Sequence, residues 1–222
     1  MSGAARRSRT AGNPLPPRIN PVLESGFLLE MDGLHRRLDY DGTDLSGVDI
    51  ETVEIEECRF DRANLAESRL QRVVFTDVVM ERCDLANLRA DSSSLLRTKV
   101  SGSRLTGFSW TNGVIRDVMF DDCRMNLAGF RFTKLKAVVV FKDCDLSRAN
   151  FQNADLSGVR FTGCDLTGAQ FSNATMTGTR IENCTLVDIV GVTSFGGAII
   201  KSGDAMTLAY SLANALGITI EE

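Results

Sequence analysis

At 222 residues the chain has room for one large domain or two small ones. It is 43% hydrophobic and 24% charged, the balance of a globular protein rather than of a disordered or collagen-like chain. No run of about 18 apolar residues occurs, so no membrane-spanning helix is expected. The net charge of −4 conceals blocks: a basic start, nine acids against the single Arg59 in residues 39–61, a mildly basic stretch over 62–140, and a mildly acidic end. That alternation excludes a uniformly acidic body, the simplest imitation of a nucleic acid.

Residues 1–21 hold all four prolines (Pro14, Pro16, Pro17, Pro21) and four arginines, and read as a disordered basic, Pro-rich tail. They lack the 7–15-residue apolar core of a secretory signal, so a cytoplasmic location is expected. Residues 22–42, VLESGFLLEMDGLHRRLDYDG, are expected to form an N-terminal cap. No proline follows residue 21, which suits a fold that uses nearly every backbone N–H.

From residue 43 to 190 the sequence runs in fives. Leu45, Ile50, Ile55, Phe60, Leu65, Leu70 and Phe75 begin a series that continues to Leu135 with Ala90 as its one small member. The register slips by one residue within 136–140, KAVVV, and resumes from Phe141 through Leu146, Phe151, Leu156, Phe161, Leu166 and Phe171 to Leu186. Two places before each central residue stands a small one, among them Val53, Cys58, Ala63, Cys144, Ala149 and Cys164. Two places after it, Gly recurs at 47, 102, 107, 158, 163, 168 and 178, as a tight corner requires. Each unit therefore turns two side chains inward and three outward.

Five-residue sides predict a four-sided coil of about 20 residues. Side one then collects Leu45, Leu65, Leu85, Leu105, Met125, Leu146, Leu166 and Leu186. Side two begins at Ile50, side three at Ile55 and side four at Phe60, and the slip falls at the corner between sides three and four. Sides two and four become Phe-rich, so like stacks on like, as a solenoid core needs. All six cysteines take the small inward position, and five of them (all but Cys58) lie on side one.

The units CDLSR, ANFQN, ADLSG, VRFTG, CDLTG and AQFSN resemble the A-(D/N)-(L/F)-x-x motif of pentapeptide-repeat proteins, over about two-thirds of the chain. The resemblance implies an all-β solenoid: a right-handed quadrilateral β-helix of about seven coils with a C-terminal capping helix.

The pentads stop after Leu186, and residues 191–222 are expected to form a cap and dimerisation segment. Met206, Ala209, Tyr210 and Ala213 recur at helical spacing, as do Leu208, Leu212 and Leu216. They predict a helix over about 204–216, with Asp204 or Ser202 as N-cap and Gly217 at its stop, then a short tail from Ile218. The cap resembles that of the gyrase-protecting, quinolone-resistance branch of the family. The resemblance implies a homodimer formed through Met206, Leu208, Ala209, Leu212, Ala213, Leu216 and Ile218.

No catalytic residues, metal ligands or cofactors are expected. The cysteines lack the CxxC pairs of metal sites and read as buried, reduced space-filling thiols. His35 is the only histidine and reads as structural. The series Asp44, Asp84, Asp145, Asp155 and Asp165 reads as turn chemistry rather than as an acid pair. The best exposed candidate is the acidic set Asp39, Asp41, Asp44, Asp49, Glu51, Glu54, Glu56, Glu57 and Asp61. It is either a solvated face that discourages aggregation or a surface for a basic partner. Two functions stay open. The resemblance implies a DNA mimic that binds DNA gyrase or another type II topoisomerase; the alternative is a generic interaction scaffold. Neither expects direct nucleic-acid binding.

Overall fold

The computed structural model describes residues 12–20, 24–30 and 33–219. The five-residue period is the length of one side. Each strand pairs in parallel with the same side one full turn earlier and one later, as Leu95 does with Phe75 and with Ile115. Each side therefore stacks on itself coil after coil. The result is a parallel β-solenoid of about eight turns, one more than expected. The full coils starting at Leu45 to Leu166 are extended by partial ones at both ends. At ~4.8 Å per coil the rod is about 38 Å long.

Sides three and four share one 12-stranded sheet. Its longest strands, Val74–Glu81, Ser94–Ser101, Val114–Asp121 and Lys134–Lys142, bend around the corner between the two sides. Side two carries a four-stranded sheet built from Asp49–Glu51, Arg69–Gln71, Arg89–Asp91 and Ser109–Thr111. Side one is held by single bridges running from Asp44↔Asn64 to Asp165↔Thr185. The expected slip is visible in the pairing. Arg116 faces Lys136 in the ordinary register, but Val118 faces Val139, one place further along than that register would put it. The extra residue is absorbed at the corner.

Every corner from Arg37 to Asp188 places the residue two after the central one at positive φ. Most of these are not glycine; Arg62, Arg82, Leu127 and Phe132 are among them. That backbone costs ~1–2 kcal/mol for a side chain bearing a Cβ. It recurs because it aims the corner N–H at the next coil, as in Arg62 N–H to the Glu81 carbonyl (2.9 Å) and Arg82 N–H to the Ser101 carbonyl (2.9 Å). The Asp series serves the same geometry. Asp44, Asp84, Asp145, Asp155 and Asp165 each accept the backbone N–H two residues on, at 2.9–3.1 Å.

Inside, aromatic rings form two columns. Phe130, Phe151 and Phe171 stack on side two at 5.1–5.2 Å, and Phe120, Phe141 and Phe161 on side four at 5.0–5.1 Å. The columns meet edge to face. Lower in the rod Trp110 fills this space and donates Nε1–H to the Ser93 carbonyl (3.2 Å). The adjoining inward position is Gly113, where a Cβ would lie 2.3 Å from that carbonyl oxygen and 2.5 Å from Trp110 Nε1. All six cysteines are free and buried. Their thiols donate to carbonyls of the wall, as Cys83 does to Phe60 (3.4 Å) and Cys164 to Phe141 (3.4 Å).

The segment expected as the N-terminal cap contributes two sides of a further coil. Leu34–Arg36 pairs with Glu54–Glu56, and Tyr40 stacks on Phe60 at 4.6 Å. His35 bridges this end of the chain: Nε2 lies 3.2 Å from the Glu30 N and 3.3 Å from the Glu30 carbonyl, and Nδ1 lies 3.0 Å from the Tyr40 hydroxyl.

At the other end helix α1 spans Ala205–Ala215. Asp204 occupies the N-cap position but its side chain makes no capping bond. Gly217 stops the helix with φ +70°; its N–H donates to the Asn214 carbonyl (3.1 Å) and that of Ile218 to the Ala213 carbonyl (2.8 Å), the paired bonds of a Schellman stop. Ser211 closes the last coil, because its hydroxyl accepts the Ile189 N–H (3.2 Å) and donates to the Leu186 carbonyl (3.4 Å).

Candidate interaction surfaces

The acidic set of residues 39–61 does not form one open patch. The coil distributes it over all four sides, and arginines one coil away reach back to most of it. Asp41 meets Arg62 at 2.5 Å, Glu51 meets Arg72, and Glu57 takes Arg36 (2.9 Å) and Arg37 (3.0 Å). Arg36 also approaches Glu56 (3.6 Å), and Arg59 approaches Asp39 (3.9 Å). Asp61 is buried beneath Arg59, Arg62 and Arg82. Hydrogen bonds from Arg36 and Arg37 hold the Glu57 carboxyl below the usual range. Only Asp44, Asp49 and Glu54 make no ion pair among the described residues, and they lie on three different sides. Asp44 is also held below its usual range, by Ser46 and then Asn64.

The dimer set of the C-terminal end divides between two faces of α1. Leu208 is buried in the core of the rod, and Ala213 is buried outside that core cluster. Met206 (70% exposed), Leu212, Leu216 (71%) and Ile218 face outward with Ala209. Tyr210, 56% exposed, joins them, and with Met206 and Asn214 it borders an apolar hollow that reaches Val187.

A third surface left little trace in the sequence. Residues 12–20, inside the segment expected to be a disordered tail, lie against side four. Arg160 Nη2 donates to the Gly12 carbonyl (2.6 Å), and the Arg18 N–H donates to Asp77 Oδ1 (3.1 Å). Asp77 is buried and clamped by both arms of Arg97 at 2.7 Å. Burial pushes the Asp77 carboxyl up, but the bonds from Arg97 and from the Arg18 amide outweigh it and hold it below its usual value. The only sequence signal was the spacing of Pro14 and Pro17.

No group of three or more His, Cys, Asp and Glu placed to hold a metal ion occurs among the described residues. No described helix is long and apolar enough to cross a membrane. The fold and these surfaces define a four-sided parallel β-solenoid with a helical end cap and a peptide laid along one side. A family model of pentapeptide repeats matches eight copies, over residues 56–95 and 141–183. The pentad frame and the coil-on-coil register extend the same five-residue unit on either side of the matched residues.

Among solved structures, HetL of a Nostoc cyanobacterium, a pentapeptide-repeat protein involved in regulating heterocyst differentiation, is 15% identical. The match covers 78% of this chain and 87% of HetL at a TM-score of 0.37. A trypsin-treated QnrB1, a plasmid-mediated fluoroquinolone resistance protein, is 21% identical over 85% of this chain and 100% of that one, at a TM-score of 0.34. Rfr23, a pentapeptide-repeat protein of the cyanobacterium Cyanothece, is 15% identical over 73% and 91%, at 0.22. No curated protein matches the chain.

Proposed function

We propose that this protein is a non-enzymatic interaction rod that pairs with a second copy through α1 and binds a protein partner along its sides. The observation that carries the reading is the division of α1. One face, Leu208 and Ser211, seals the last coil, while Met206, Tyr210, Leu212 and Leu216 stand in water with no core to fill. Exposed apolar side chains gathered at one end of a rod suit burial against a copy of themselves.

The partner we propose is DNA gyrase or a related type II topoisomerase. The support is the C-terminal segment, whose GA-x-(I/V), Ala/Leu-rich helix and LGI run resemble the gyrase-protecting branch. Acting as a DNA decoy is the finer form of this reading. Its charge support narrows to Asp44, Asp49 and Glu54, since arginines pair with the other six acids. That pairing favours a second reading, a scaffold for some other protein.

Supercoiling by purified gyrase, with and without a quinolone, separates the two. Micromolar protein is expected to change the supercoiling rate or relieve the drug's block. No effect on either leaves the scaffold reading in place.

A further inference from the structure

Residues 12–18 follow side four without joining its sheet. Within them the partly buried positions are Pro14 and Pro17, a three-residue spacing, which is the period of a polyproline II helix. Its rise of ~3.1 Å gives about 19 Å over the six steps from Gly12 to Arg18. The contacts at the two ends, Arg160 and Asp77, lie four coils apart, again about 19 Å at ~4.8 Å per coil. The strap and its seat are matched in length.

The seat is unlike the rest of the outer wall. Outward positions of side four read Arg59, Val79, Lys99, Met119, Val140, Arg160 and Arg180 by register. Val140 stands outside the hydrophobic core cluster yet is only 5% exposed. It lies between Met119 and Arg160, on the strap's course. Pro14 to Pro17 border Thr98, Lys99 and Met119 around a cavity of about 240 Å³. Both hydrogen bonds go to the strap's backbone, to one carbonyl and one N–H, and at the Asp77 end the Arg18 charge adds to them. A seat that grips backbone at both ends and apolar rings between them accepts a class of peptides rather than one sequence.

We propose that side four is a docking furrow for extended proline-rich segments with prolines three residues apart, and that the chain's own residues 12–18 are its resident occupant. A partner segment of this kind displaces the strap and takes over the ties to Arg160 and Asp77. The furrow is separate from α1 and does not depend on which protein the rod binds. Attachment through the same chain gives the strap an effective concentration of the order of millimolar, so it masks the furrow from weak competitors.

The test uses a fluorescein-labelled peptide, GNPLPPRIN, and the full chain in two forms. The native chain is expected to bind weakly. Pro14→Asp with Pro17→Asp, which ejects the strap, should bind at least tenfold more tightly, and a scrambled peptide without the three-residue proline spacing should not. Hydrogen exchange on the native chain gives a second readout: the Arg18 amide, held by Asp77, should exchange faster when unlabelled peptide is in excess. The proposal is overturned if the double variant keeps its far-UV circular dichroism but binds no more tightly, or if the scrambled peptide binds equally. Should that variant not fold, the exchange experiment decides, and an unchanged Arg18 rate overturns the proposal.

Discussion

Phe151→Ala removes a ring from the middle of the aromatic core. Phe151 is fully buried, stacked on Phe130 at 5.2 Å and on Phe171 at 5.1 Å, with its edges against Phe141 (6.1 Å) and Phe161 (5.7 Å). A buried Phe→Ala change costs ~3–5 kcal/mol, and each aromatic pair adds ~0.5–1.5 kcal/mol beyond its buried area. Four such pairs place this site at the top of the range, about 5 kcal/mol. The cavity cannot close cheaply, because the coils above and below are fixed by backbone hydrogen bonds. Phe132→Ala is the internal control. It removes the same ring from a half-exposed corner at positive φ, and a change within about 0.5 kcal/mol is expected there. Urea unfolding followed by circular dichroism measures both. A loss below about 2 kcal/mol at Phe151, or equal losses at the two sites, would refute the aromatic columns as the main packing unit.

Gly113→Ala should destabilise by about 1–3 kcal/mol, since the added carbon meets the Ser93 carbonyl and Trp110 together; a melting temperature equal to the native one would contradict this. Burial pushes the Cys58 and Cys83 thiols from an ordinary value near 9 up to about 11. Because the folded chain holds these protons more tightly, their contribution is intact below pH 9 and is lost as the pH rises through 11. The urea midpoint should therefore fall between pH 9 and 11, and fall less in the Cys58→Ala and Cys83→Ala variants; an equal fall in all three chains would remove the thiols as its cause.

The core was legible in the sequence because each inward position meets one constraint. The central residue must fill a narrow shaft, and the residue two before it must leave room. Leu146 above Met125 and Phe151 above Phe130 follow from that alone, as does the bulge after Lys136. The corners were half legible. Glycine marked some of them, but Arg62 and Leu127 take the same backbone because the hydrogen bond to the next coil outweighs the local cost. The pairing of the acids escaped a reading by segments of charge. Its signal was present in a longer spacing: Asp41 with Arg62, Glu51 with Arg72, Asp61 with Arg82. One turn of the coil plus one residue brings each acid to a corner base, so a cluster in sequence became a ladder in space. The strap left almost no trace, since its ties use backbone atoms that every residue carries.

Whether the rod works as a pair is tested most directly by sedimentation equilibrium of the full chain. The native protein is expected at twice its monomer mass at micromolar concentration. Met206→Asp with Leu216→Asp, exposed on α1 and at its C-cap, should sediment as a monomer with unchanged far-UV circular dichroism. A native chain that stays monomeric at high micromolar concentration, or a charged variant that still pairs, would contradict the assignment of this face as the dimer surface.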